Sequence, residues 1–287
     1  MRIKADLTLF LVAILWGSAF AAQRIAGQLG SVYLFNGARF LLAALLLVPF
    51  VLRVQVPRIQ WVWMGAAGTI LFIASALQQA GMLTTTASNA GFITGLYVVI
   101  VPFVMFIGWR EKPHWLSVVA VIMAGAGAYL LSTAGRFQMQ SGDVLELIGA
   151  FFWSFHVVLL GKFASRFESI SFSAGQLFIA SILNFIVGLF IEHPDLSQPA
   201  PLIGAIVYTA VISLGLGYTL QIWGQRHTPP TDAAIILSLE SVFAVIAGWL
   251  VLNERLAPIQ VAGCVIIFLA VLLSQGKAWS KINPENA

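Results

Sequence analysis

Ten apolar runs, each about as long as a membrane crossing, leave this chain little freedom of fold class. They fall at roughly 5–24, 31–52, 59–80, 85–108, 114–133, 142–163, 170–191, 201–223, 231–252 and 257–275. A helix rises ~1.5 Å per residue, so ~20 apolar residues cross a hydrocarbon core of ~30 Å. The separators are short and carry turn residues: Val56-Pro57-Arg58, Arg110-Glu111-Lys112-Pro113, Glu192-His193-Pro194-Asp195 and His227-Thr228-Pro229-Pro230. None has room for an extramembrane domain, so a site has to be built inside the bundle. Charged residues make up 9% of the chain, against roughly a quarter in a soluble domain. The mean hydropathy of +0.93 agrees, and the expected fold is an all-α polytopic bundle of ten transmembrane helices. The opening MRIKADLTLFLVAILWG reads as a signal-anchor helix, because its apolar run continues past Phe20 with no convincing cleavage site.

Lys and Arg set the expected orientation. With the N-terminus inside, Arg2, Lys4, Arg53, Arg58, Arg110, Lys112, Lys162, Arg166, Arg226, Lys277 and Lys281 are cytoplasmic. Arg24, Arg136 and Arg255 lie outside together with the 192–197 loop, and Arg39 lies within a span. This bias predicts both termini in the cytoplasm, in a multi-pass protein of the plasma membrane, the inner membrane if the source is bacterial. The sequence pI near 9.5 raises nucleic acid as a partner, but the basic residues sit singly, and no nucleic-acid partner is expected. Cys264 is the single cysteine, which rules out a disulfide framework or thiolate metal site. No cofactor or metal is expected. The lipid bilayer and a small-molecule substrate are the expected partners, and a homodimer is allowed although a monomer suffices.

The chain repeats itself. Asp6-Leu7 and Trp16 recur 137 residues on as Asp143-Val144 and Trp153, and Arg39 corresponds to Gln176. After the longer loop at 192–201 the offset becomes 143. It pairs Gln78 with Gln221, Tyr97 with Glu240, and Trp109-Arg110-Glu111-Lys112 with Leu252-Asn253-Glu254-Arg255. The units are residues 1–140 and 141–287. Five spans per unit is odd, so the second copy enters the membrane inverted. Inverted repeats characterise secondary transporters with a site at the repeat interface, and repeats occur in some channels too.

Glu240 stands in the middle of the ninth run. A carboxylate at that depth costs several kcal/mol unless it is protonated, paired or facing water, so it is a functional candidate by default. It shares a helical face with Ala233, Ile236, Ala244 and Ala247. His156, on a stripe with Glu146 and Trp153, could relay protons or simply pack. Glu146 lies about a turn inside the outer end, where it could reach water. Arg39 cannot shed its charge. It either snorkels to the interface or holds a substrate carboxylate or Glu240. Tyr218, Gln221 and Gln225 share one face of the eighth run, with Gln78 and Gln79 at the matching place in the third. Such groups suit a weak polar site, or interhelical bonds worth ~0.6 kcal/mol each. Trp16 and Trp153 either line a cavity or fill the core. Gly91 and Gly95 form a GxxxG that reads as close packing or a bend more readily than as a dimer face. HExxH, GxSxG and GxxxxGK are all missing, which speaks against a protease, a hydrolase or an ATP-driven pump.

TTASNAGFITGLYVVIVPFV, LSLESVFAVIAGWLVLNERL, WGSAF and ARFLLAALLL resemble the EamA-type members of the drug/metabolite transporter superfamily. The resemblance covers almost the whole chain. It implies a ten-helix inverted-repeat bundle that exports amino acids or other small metabolites and is not an enzyme. Where the family often has Glu-Pro, this chain has Glu240-Ser241, so a kink there would lack its proline. The candidate substrate-binding set is Trp16, Arg39, Gln78, Gln79, Tyr97, Trp153, His156, Tyr218, Gln221 and Glu240. Glu240 and His156 are the candidates for proton coupling. The alternatives are a facilitator of a polyamine, nucleoside, sugar or drug cation, or an intramembrane enzyme built on Glu240 and His156.

Overall fold

The computed structural model describes residues 1–29, 31–52, 55–133, 140–193, 199–255 and 257–280. The expectations for Arg53, Arg136, Lys281 and residues 194–197 lie outside that set. Eight helices are long and apolar enough to cross a membrane: α1 (Arg2–Gln28), α2 (Tyr33–Val51), α3 (Arg58–Gly81), α4 (Ala87–Trp109), α6 (Ser141–Lys162), α7 (Ser169–Ile191), α8 (Pro199–Gln225) and α9 (Pro230–Leu252). Two more, α5 (Trp115–Thr133) and α10 (Pro258–Ser280), carry shorter apolar stretches. No strand occurs among the described residues. Each helix coincides with one apolar run of the sequence. Large apolar side chains such as Phe190, Leu189 and Ile107 remain exposed on the outside, as a lipid-facing surface requires.

Side chains satisfy the free backbone N–H groups at helix starts. Glu168 accepts from the N–H groups of Ile170 and Ser171, Thr86 accepts from that of Asn89, and Gln140 with Asp143 closes a capping box on α6. α4 and α9 end alike, on Arg110 and Asn253 in the left-handed conformation at φ 55°. These two residues lie 143 apart, at equivalent places in the repeat.

α2 packs along α7 and α5 along α10; α1 packs on α8 and α9, α6 on α3 and α4, and α4 on α9. This set of pairs is unchanged when the first five helices are exchanged for the last five. Short loops make neighbouring helices antiparallel, so the ends of the bundle are distinct. At the N-terminal end Arg2 bridges Asp6 and Asp232, each at 2.9 Å, Thr228 donates to Asp6, and Lys162 pairs with Glu111. At the opposite end Glu192 accepts from the N–H groups of Val32, Tyr33 and Leu34. Glu254 there accepts from those of Ala87 and Ser88.

Two helices break in mid-membrane. α4 divides into Ala87–Gly95 and Tyr97–Trp109, and α9 into Pro230–Leu237 and Glu240–Leu252. No proline sits at the α9 break. The turn tightens instead, with Leu239 N–H bonding to Ile236 O and Ser241 N–H to Ser238 O, while the Ser238 hydroxyl takes up Ile235 O. α8 widens over Thr209–Leu216 into an i→i+5 turn. Glycines let the broken helices approach. A Cβ on Gly91 would meet Ala244 Cβ, one on Gly95 would meet Ser241 Oγ, and one on Gly17 would lie 2.6 Å from Glu240 O. The GxxxG of α4 therefore faces α9 inside the bundle.

Candidate functional site

The breaks place Tyr97 and Glu240 identically, each opening the second half of its helix. Both face a narrow cavity walled also by Trp16, Phe20, Gln23, Arg39, Phe40, Gln78, Thr94, Trp153, His156, Val157, Ser213, Leu214, Tyr218 and Gln221. Every member of the sequence-derived set lines it except Gln79. Four repeat-related pairs line it: Trp16 and Trp153, Phe20 and Val157, Gln78 and Gln221, Tyr97 and Glu240. The two halves of the chain therefore meet at the cavity.

Its aromatic wall is fixed by hydrogen bonds. Trp16 Nε1 donates to Ser213 O at 2.9 Å, a bond from α1 to α8. Trp153 Nε1 donates to Gln78 Oε1 at 2.9 Å, a bond from α6 to α3. Gln78 in turn donates to Gln23 Oε1 at 3.1 Å. Tyr218 lies against Trp16 and His156, with ring centroids 5.2 and 5.5 Å apart.

Arg39 is buried at 3% exposure, so it does not snorkel. Its guanidinium lies over the rings of Phe35 and Phe40 at 4.9 and 5.1 Å, and Nε donates to Asn36 Oδ1 at 2.9 Å. Asn36 is itself tied to Ser75 O. No carboxylate pairs with Arg39 among the described residues. Tyr218 lies within electrostatic reach of both Arg39 and Glu240. Tyr97 and Glu240 lie within polar reach of each other, and beyond that contact neither the Tyr97 hydroxyl nor Glu240 Oε1 has a hydrogen-bond partner among the described residues. Both amide atoms of the fully buried Gln221 also lack one. Unpaired buried polar atoms are costly. Those that face the cavity are free to bind a polar solute.

His156 bonds through Nε2 to Gln176 Oε1 at 3.0 Å. Nδ1 has no hydrogen-bond partner among the described residues. Gln79 turns away and donates to Gln23 O. Gln225 is likewise used between helices, donating to Val157 O. Gln23 and Thr94 were not singled out from sequence. Gln23 lies seven residues after Trp16 on the same face of α1, a signal that could have found it. Glu146 does not reach water: it is fully buried beneath the α3–α4 connection.

A helical bundle with broken helices around a polar-aromatic cavity defines a polytopic transport protein. The sequence profile of the EamA-like transporter family matches residues 3–133 and again 140–275. The chain belongs to that family. An uncharacterized transporter of Archaeoglobus fulgidus is 33% identical over 274 residues, covering 95% of this chain and 86% of that one. An S-adenosylmethionine/S-adenosylhomocysteine transporter of Chlamydia muridarum is 24% identical, covering 91% of this chain and 90% of its own. A solved crystal structure, 19% identical, overlays with a TM-score of 0.77 across 97% of this chain and 99% of its own. That likeness speaks to the fold alone.

Proposed function

We propose that this protein is a secondary exporter of zwitterionic, amphipathic metabolites, namely amino acids or their derivatives, that works by alternating access about the cavity. The observation that carries the reading is Arg39, a buried cation with no carboxylate partner among the described residues, in the same aromatic-walled cavity as Glu240. A solute carboxylate would take the fork of Arg39, its ammonium group would take Glu240, and its side chain would lie against Trp16, Trp153 and Tyr218. The amide of Gln221 would bind a further polar group. A relative is named for S-adenosylmethionine, whose amino-acid head sits on a cationic sulfonium and adenosyl body, and its carboxylate and adenine ring fit the Arg39 and aromatic parts of this reading.

The repeat supports the mechanism. Residues 1–140 and 141–287, read as inverted halves, would rock against each other about the broken helices α4 and α9. In this reading both termini are cytoplasmic, as the Lys and Arg distribution expects, and the plasma membrane is the site of action. Glu240 is the coupling carboxylate.

The test is flux into proteoliposomes with S-adenosylmethionine, tryptophan and leucine, each amino acid set against its decarboxylated amine. Arg39→Gln is expected to raise the half-saturating concentration of the carboxylate-bearing probes about ten- to a hundredfold, as the loss of ~1.5–3 kcal/mol of charged hydrogen bonding would. The amines should be unaffected. Equal effects on acid and amine would refute a carboxylate at Arg39, and no flux of any probe with the wild type would refute the substrate class.

A further inference from the structure

Glu146 and Leu9 occupy equivalent positions in the two halves, 137 residues apart. Their surroundings match as well. A Cβ on Gly224 would lie 2.8 Å from Leu9 Cγ, and one on its equivalent Gly81 would lie 2.8 Å from Glu146 Cγ. The hydrogen bond from Thr228 to Asp6, 2.7 Å, recurs as Thr85 to Asp143, 2.6 Å. Leucine fills this slot in one half, so packing does not require a carboxyl in the other.

Yet the carboxyl is there, with no exposed surface. Its Oε2 accepts from Thr94 Oγ1 at 3.1 Å, and Oε1 has no hydrogen-bond partner among the described residues. No Lys, Arg or His pairs with it among the described residues. The titratable groups around it are Asp143 on its own helix and Glu240 on α9, whereas α3 and α4 present Gly81 and Thr94. Thr94 lines the cavity that holds Glu240. Asp143 lies one turn before Glu146 on the same face of α6. Asp143, itself buried, accepts from Thr85 and from the N–H of Gln140, which is exposed at the head of the helix.

We propose that Glu146 is a second proton-binding site of the transporter, reached from the cavity at Thr94 and from the end of the bundle opposite the N-terminus at Asp143. A proton arriving from the cavity turns the Glu146 anion into the neutral acid, and its departure toward Asp143 restores the anion. The equivalents of Glu146 and Thr94 in the other half are Leu9 and Leu237, so such a port exists at one end of the bundle only. The inference rests on the reading of the cavity as a transport site and adds a route for its coupling proton.

The test is infrared difference spectroscopy of the purified protein in lipid nanodiscs, titrated from acid to alkaline pH and read at the C=O stretch of neutral carboxyls. Beside the hydrogen-bonded Asp143 and the ion-paired Asp232, which are also buried, the wild type should show two titrating carboxyl signals, from Glu146 and Glu240. Glu146→Leu, which copies the packing of Leu9, should remove one of them, and Glu240→Gln the other. Thr94→Val keeps both acids and should move the titration of the Glu146 signal. A Glu146 signal that never titrates, or a Glu146→Leu spectrum that superposes on the wild type, would overturn the proposal, as would a Thr94→Val titration identical to the wild type. The spectra require no solute. Titrating signals without solute flux would therefore retain the proton site and remove the transport reading, and flux with unchanged spectra would do the reverse.

Discussion

Replacing Glu240 with glutamine is expected to leave a folded, inserted protein that has lost most of its gradient-driven transport. The amide matches the carboxyl in size and hydrogen-bonding reach, and a neutral group is less costly than an anion at this depth. Insertion and thermal stability should therefore equal those of the wild type. Glutamine cannot alternate between charged and neutral states, which a coupling group must do if the two access states are to differ in affinity for the proton. Gradient-driven accumulation should fall about tenfold or more, within the five- to 150-fold range of a coupling energy of about 1–3 kcal/mol. The pH dependence of uptake should flatten, and equilibrium binding of the solute should change less than flux. The measurement is uptake against external pH in proteoliposomes, with and without an imposed proton gradient. A Glu240→Gln protein that accumulates solute as well as the wild type would make Glu240 a packing residue and the protein a facilitator.

The second large effect concerns the contact that seats α1 on the α9 break. A methyl group at Gly17 would meet Phe243 Cβ and come within 2.6 Å of Glu240 O and 2.9 Å of Ala244 N. Two of these are backbone atoms of the broken helix and cannot turn aside, so Gly17→Ala has to push α9 away from α1. Overpacking of this kind costs ~1–3 kcal/mol, and here it also displaces the residue that carries Glu240. Gly17→Ala should lower the melting temperature and the transport rate together. At Gly65 a Cβ meets nothing within 4 Å, so Gly65→Ala should be neutral or slightly stabilising, since alanine is favoured over glycine in a helix by ~0.5–1 kcal/mol. Equal melting temperatures for the two variants would show that the α1–α9 contact is not held as described.

The helices were legible because a bilayer makes one demand over and over: about twenty apolar residues and no unsatisfied backbone. Glu240, Arg39 and His156 were legible for the converse reason, since each breaks an apolar run. What side chains do at close quarters was not legible. Gln78 and Gln79 are adjacent amides, and one residue of helical phase turns one to the cavity and the other to Gln23 O. The break in α9 carries no proline and depends on the Ser238 and Ser241 hydroxyls taking up Ile235 O and Gly91 O. Serine in a membrane helix signals nothing so specific. The depth of Glu146 was misjudged because distance along the helix suggested water, whereas Gly81 and Gly142 bring α3 and α6 close enough to seal it. Arg39 does not snorkel: it stays inside, over the rings of Phe35 and Phe40.

The central claim is that one cavity opens in turn to each side of the membrane, and reactivity of a cavity cysteine tests it without any solute. Gln221→Cys, in a chain whose Cys264 has been replaced, would be exposed to a membrane-impermeant thiol reagent from outside intact cells and from inside inverted vesicles. Lys112→Cys serves as the sidedness control and should react only from the cytoplasmic face. The account predicts that Cys at position 221 reacts from both faces, at rates that shift in opposite directions when a transported solute is added. Reaction from a single face, or from neither, would contradict it.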